Sequence, residues 1–137
     1  MKGIIAFLAV ILLLSTLAPA KAGSTDPLYI SMTSDDAHRA SMAIGFGQNQ
    51  LQRNHPLTIF LNDKGVRVAS TVNAAAYTEH QKLLADILAK GGTIYVCPTC
   101  MKHYGVKESE LVAGLKVSNP DLNSAALFKD NTRTLSW

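Results

Sequence analysis

The sequence predicts an α/β domain: a mostly parallel sheet of about five strands, covered by helices on both sides. Two observations lead there. Short apolar runs rich in strand formers alternate with stretches whose apolar residues recur every three or four positions, the order expected of β-α-β units. The runs are also apolar throughout rather than alternating, which suits strands buried on both faces.

"LYISM", Leu28 to Met32, is the first strand. It ends in "TSDD", where Thr33 with Asp36 three residues on has the spacing of a helix N-cap and its N3 acid. Ala37, Ala40, Ile44, Gly47 and Leu51 then mark one face of a helix reaching about Arg53, and their small size lets that face lie close to a sheet. Pro56 stops it, and "LTIFL", Leu57 to Leu61, is the second strand. "NDKG" reads as a turn or loop, and "VRVAS" as loop. A second helix is expected from about Ala74 to Lys90, ended by Gly91-Gly92. "TIYVC", Thr93 to Cys97, is the third strand. "PTCMKHYG" reads as a short helical turn ending at Gly105, "ESELVAG" as another short helix and "LKVS" as a fourth strand. "NPDLNSAALF" is a helix with Pro120 near its start, and "TRTLSW" a last strand or tail.

Residues 1–22 stand outside this pattern. Met1-Lys2 is positive, Ile4 to Leu14 is apolar, and Ala20 and Ala22 have the small-residue spacing a signal peptidase reads. Cleavage after Ala22 is expected, leaving residues 23–137 as one domain and placing the protein in the periplasm or outside the cell. An uncleaved membrane anchor is the alternative, but the apolar stretch falls short of the roughly 20 residues a spanning helix needs. Membrane insertion is not expected once the leader is gone. Losing Lys2 and Lys21 lowers Lys+Arg from 13 to 11 against 10 acidic residues, a net charge of +1. With no basic run, nucleic-acid binding has no electrostatic footprint.

The chemistry concentrates in "YVCPTCMKHYG", Tyr95 to Gly105, which holds both cysteines. In parallel sheets, ligands sit outside the carboxyl ends of the strands. Here those ends carry Thr33, Asn62-Asp63 and Cys97. Proline is favoured at the first helical position, so Pro98 places Cys97 at the cap, facing unpaired amides and the positive end of the helix dipole. Those features favour a thiolate. Cys100 lies one turn later as a resolving thiol, and Lys102 and His103 add positive charge. A structural disulfide is the second reading, since an exported pair meets an oxidising compartment, though so short a loop gains little from closure. Zinc is a third: Cys97, Cys100 and His103 have ligand spacing, but no second CxxC supplies a fourth ligand. A thioredoxin-like order is absent, because the motif follows the third strand. "GFGQ" lies inside a helix without a P-loop lysine. No cofactor and no resident metal are called for.

Three segments resemble the DsrE/DsrF-like family of sulfur-relay proteins: "MAIGFGQNQLQRNHPLTIFLNDKGV", "LLADILAKGGTIYVCPTCMKHYGV" and "ELVAGLKV". They span roughly Leu28 to Val117. The resemblance implies a three-layer α/β/α fold, assembly into trimers or hexamers, and a cysteine that carries persulfide sulfur between donor and acceptor proteins or small persulfides. Cys97 matches the carrier position, and Asn62 and Asp63 match the loop that approaches it. Cys100 is a thiol the simplest carriers lack, and export differs from the cytoplasmic relay proteins.

Overall fold

The computed structural model describes residues 23–137; the expected leader lies outside the described residues. Strands β1 (Leu28–Met32), β2 (Leu57–Leu61), β3 (Thr93–Val96), β4 (Lys116–Val117) and β5 (Arg133–Ser136) form one sheet in the order β4-β3-β2-β1-β5, with every pairing parallel. The helices are α1 (Ala37–Gln52), α2 (Ala74–Ala89), α3 (Pro98–Tyr104) and α4 (Pro120–Leu127).

This topology fixes which face each helix covers. From β1 to β4 the chain steps always toward the same edge, so right-handed crossovers place α1, α2 and α3 on one face. The last crossover runs back across the whole sheet to β5, which puts α4 on the other face. Tyr29 confirms the second layer: its side chain points away from the α1 side, and its hydroxyl donates to Asn123 Oδ1 on α4 at 3.2 Å.

The core lies between the sheet and the first pair of helices. Ile30, Met32, Ile59, Leu61, Ile94 and Val96 point into it from the strands, and Ala40, Ala43, Ile44, Leu84 and Ile87 meet them from α1 and α2. The small face of α1 lies as close to the sheet as expected. A Cβ on Gly47 would stand 3.0 Å from Ile30 Cδ1 and 3.1 Å from Leu57 Cδ2. Burying a side chain of Leu or Ile size contributes about 1.5–3 kcal/mol, so this layer dominates stability.

Several boundaries differ from expectation. The cap of α1 is Asp36, whose Oδ1 accepts from Arg39 N at 2.8 Å. Thr33 is instead tied to the far end of the chain, its N and Oγ1 both donating to Trp137 O at 2.8 and 2.6 Å. The turn admitted at "NDKG" is a 3-10 turn that runs on through Val66 and Arg67, covering Asp63–Arg67. "ESELVAG" is not a helix: a 3-10 turn covers Glu108–Glu110, and Leu111 then bridges to Ser70. The third strand stops at Val96, leaving Cys97 to the helix cap. β5 is a true strand beside β1, although all four of its residues are exposed.

Candidate functional site

The site is assembled by strand register. Met32, Leu61, Val96 and Val117 are cross-strand neighbours, so the residues that follow them line up along the carboxyl rim of the sheet. Each is pinned to the strand before it or beside it: Asn62 N donates to Met32 O at 3.0 Å, Cys97 N to Leu61 O at 2.9 Å and Ser118 N to Val96 O at 2.9 Å. Thr33, Asn62, Cys97 and Ser118 therefore form a row fixed by backbone geometry.

Cys97 is the N-cap of α3, with Pro98 at the first helical position. Its φ of −69° and ψ of 114° keep it extended while the helix begins, and its Sγ accepts from Cys100 N at 3.2 Å. The sulfur thus satisfies an amide that the helix start leaves without a partner. Cys97 and Cys100 are joined as a disulfide across a Cα separation of 5.2 Å. Both are half-buried, with Met101 behind them in the core. Gly105, at φ +71°, ends the helix in the left-handed conformation that a side chain would resist.

The other expected residues fall at different distances from the sulfur. Asn62 is at the rim, but its amide group is occupied: Nδ2 donates to Ser31 Oγ at 2.9 Å and to Phe60 O at 3.2 Å. It holds the strand end in place. Asp63 takes a positive φ of 44°, a conformation that costs a non-glycine residue energy, and its Oδ1 accepts the hydroxyl proton of Tyr104. That bond ties the Asn62–Asp63 loop to α3. Lys102 and His103 lie in the last turn of α3, roughly 8 Å along the axis from Cys97 at 1.5 Å per residue. They stand at the negative end of the helix dipole. Among the described residues no three metal-binding side chains converge, so Cys97, Cys100 and His103 do not form a metal set.

The sequence reading missed the side chains that surround α3. Tyr104 follows Cys100 by four residues, so one helical turn places both on the same side, a signal available in the spacing. The Arg67 guanidinium carbon stacks 4.7 Å from the centre of the Tyr104 ring, and Arg67 Nη1 reaches Asp35 Oδ2 at 3.0 Å. Tyr77 donates to Asp35 O at 2.8 Å. These groups wall a polar cleft of about 450 Å³ beside α3. The hydrogen bond to Asp63 raises the Tyr104 phenol above its usual range, and burial does the same for Tyr77. Both therefore stay protonated donors at neutral pH. Two sulfurs one turn apart at a rim of amides and phenols can undergo thiol–disulfide exchange when reduced.

Comparison with known proteins places this arrangement. An uncharacterized protein of Methanocaldococcus jannaschii, MJ0989, is 32% identical over 98 residues, covering 70% of this chain and 86% of that protein. Three solved structures share the fold. MTH1491 of Methanobacterium thermoautotrophicum, of unknown function, superposes with a TM-score of 0.67 at 14% identity, over 81% of this chain and 98% of that one. BT1422 of Bacteroides thetaiotaomicron, also of unknown function, gives 0.64 at 24% identity, over 82% and 95%. The ychN protein of E. coli gives 0.55 at 17% identity, over 81% and 99%. The DsrE/DsrF-like family matches residues 27–131, nearly the whole of the domain. The chain belongs to the DsrE/DsrF-like family.

Proposed function

We propose that this protein is an exported sulfur carrier in which reduced Cys97 accepts sulfane sulfur and Cys100 resolves it. The observation that carries the reading is the position of Cys97 Sγ: at the carboxyl rim of a parallel sheet, capping a helix, and accepting an amide hydrogen at 3.2 Å. An anion there is met by a donor and by the positive end of the helix. Family membership supports sulfur relay at a coarser level.

The disulfide must open first. Two molecules of a thiol reductant reduce it to two thiols and leave as their own disulfide. The Cys97 thiolate then attacks the outer sulfur of a donor persulfide; the donor departs as a thiolate and Cys97 carries the extra sulfur. Two exits balance. An acceptor thiolate can attack the outer sulfur, taking it and restoring Cys97. Alternatively, the Cys100 thiolate attacks the Cys97 sulfur, re-forming the disulfide and expelling hydrosulfide. Donor and acceptor are proteins or small persulfides, the protein works in the periplasm or outside the cell, and it assembles as a trimer or hexamer.

The test is mass spectrometry of the reduced protein after polysulfide treatment, followed by removal of excess reagent. More added sulfur on the wild type than on Cys97→Ser, and most on Cys100→Ser, is the expected result. Equal uptake by Cys97→Ser rules the reading out. The closed pair favours one rival, a permanent structural disulfide. Thiol counting after mild reductant separates the two: two titrable thiols in the folded protein support the carrier, none the staple.

A further inference from the structure

The amino-terminal rim of the sheet, opposite the cysteines, holds a carboxylate with a partner that processing would change. Gly23 N donates to Asp26 Oδ2 at 2.9 Å. The same oxygen accepts from Arg133 Nη2, on β5, at 3.1 Å. Asp26 retains only 9% of its surface, and its own carbonyl oxygen meets His55 Nδ1 at 2.8 Å. The carboxylate is thus fixed from two sides in a confined place. A Cβ added to Gly23 would come within 2.6 Å of Asp26 Oδ1, so a glycine is what the pinned carboxylate admits. Gly23 is also the residue that would become the amino terminus on cleavage after Ala22, at the small-residue pattern of Ala20 and Ala22.

We propose that the Ala22–Gly23 bond is the processing site, and that the α-ammonium it releases is bound by Asp26, so that removal of the leader tightens the fold. A leader-removing endopeptidase adds water across the amide. Ala22 leaves with the new carboxylate, and Gly23 keeps the nitrogen, which takes up a proton at neutral pH. What was a neutral amide nitrogen 2.9 Å from a carboxylate oxygen becomes a full positive charge at the same place. Hydrogen bonds between two charged groups are roughly twice as strong as neutral ones. The inference shares the export reading with the proposed function but none of its sulfur chemistry.

The pH signature has a defined sign. An unfolded α-amine titrates near about 7.7–8.0. Pairing with Asp26 raises that value in the folded state, so the added stability is complete below pH ~7.7 and is lost as pH rises through the folded value. The charged and titratable groups facing this amine are Asp26, Arg133 and His55.

Two measurements test the proposal. Intact mass and amino-terminal sequencing of the chain exported with its own leader should give Gly23 as the first residue; any other start overturns it. The second compares residues 23–137, which contain the whole sheet and core, with the same chain acetylated at Gly23, which restores the amide of the uncut chain. The free amine should melt higher at pH 7 by roughly 3–5 °C, the scale of one charged pair in a domain this size. The difference should vanish near pH 10 and in Asp26→Asn. Gly23→Ala, which keeps the amine but cannot seat it, should lose the difference too and serves if Asp26→Asn does not fold. Equal melting at pH 7, or a gap that persists at pH 10, overturns the pairing. Sulfur uptake measured on the same preparations tells failure of the carrier reading apart from failure of this one.

Discussion

Gly65→Ala tests whether the rim is as closely built as the geometry requires. Gly65 is buried in the 3-10 turn after Asn62-Asp63, and its N donates to Asn62 O at 2.9 Å and Thr33 O at 3.2 Å. A Cβ there would collide with the carbonyl oxygen of Met32, at the end of β1. That oxygen is backbone, and it already accepts from Asn62 N at 3.0 Å. Relief therefore means moving the turn off the strand end, with loss or stretching of about two hydrogen bonds at ~0.5–1.5 kcal/mol each. Overpacking costs about 1–3 kcal/mol by an independent route. Both describe one relaxation, so the expected loss is about 2 kcal/mol, or a fall of roughly 8 °C in Tm at about 4 °C per kcal/mol. Gly45→Ala is the control. Nothing lies within 4 Å of a Cβ at Gly45 in α1, so the change should stabilise by about 0.5–1 kcal/mol through helix propensity. Thermal unfolding of the three proteins in reductant, followed by circular dichroism, reads both signs. If Gly65→Ala melts within about 2 °C of the parent, an overpacking cost at this scale is absent and the close approach at the rim is not real.

Cys100→Ser should hold its sulfur longer than the wild type after polysulfide loading, because no resolving thiol remains; hydrosulfide release at the wild-type rate would contradict the assigned role. Burial raises the Tyr29 phenol to about 12 from 10.0. A raised folded value contributes stability that is intact below pH ~10 and lost as pH climbs toward ~12, so Tyr29→Phe should show a flatter stability profile there; parallel urea-unfolding curves for the two proteins would refute it. Asn62→Ala removes the amide that holds Ser31 Oγ and Phe60 O, and should cost about 1–3 kcal/mol in chemical denaturation. A loss under ~0.5 kcal/mol would show those bonds to be replaceable by water.

The parts of the fold that were legible are those whose cause is local. The strands at Leu28, Leu57 and Thr93 announce themselves as apolar runs, and Pro98 marks where α3 begins. Errors arose where a distant partner decided the outcome. Thr33 and Asp36 both suit a cap, but the carbonyl of Trp137, a sequence separation of 104, holds Thr33 just past the end of β1. The turn at Asp63–Arg67 is too short to show a helical period. "ELVAG" has helical spacing, yet Leu111 is taken up by a bridge to Ser70. At the site, Cys97 could be placed from its neighbours alone. Arg67 and Asp35 could not, because their meeting depends on how two loops dock against α3. Lys102 and His103 are near Cys97 in the chain, and the helix sets them more than one turn along its axis from that cap position.

The return of the chain to β5 has a practical consequence for anyone handling the protein. Trp137 follows Ser136, which pairs with Ser31, and so it emerges on the same side of the sheet as Cys97. Three strand spacings of about 4.8 Å separate β5 from β3, or roughly 14 Å. Whatever polypeptide continues beyond Trp137, natural or appended, departs beside the sulfur pair. An affinity tag fused at that end would lie along the rim that carries the cysteines.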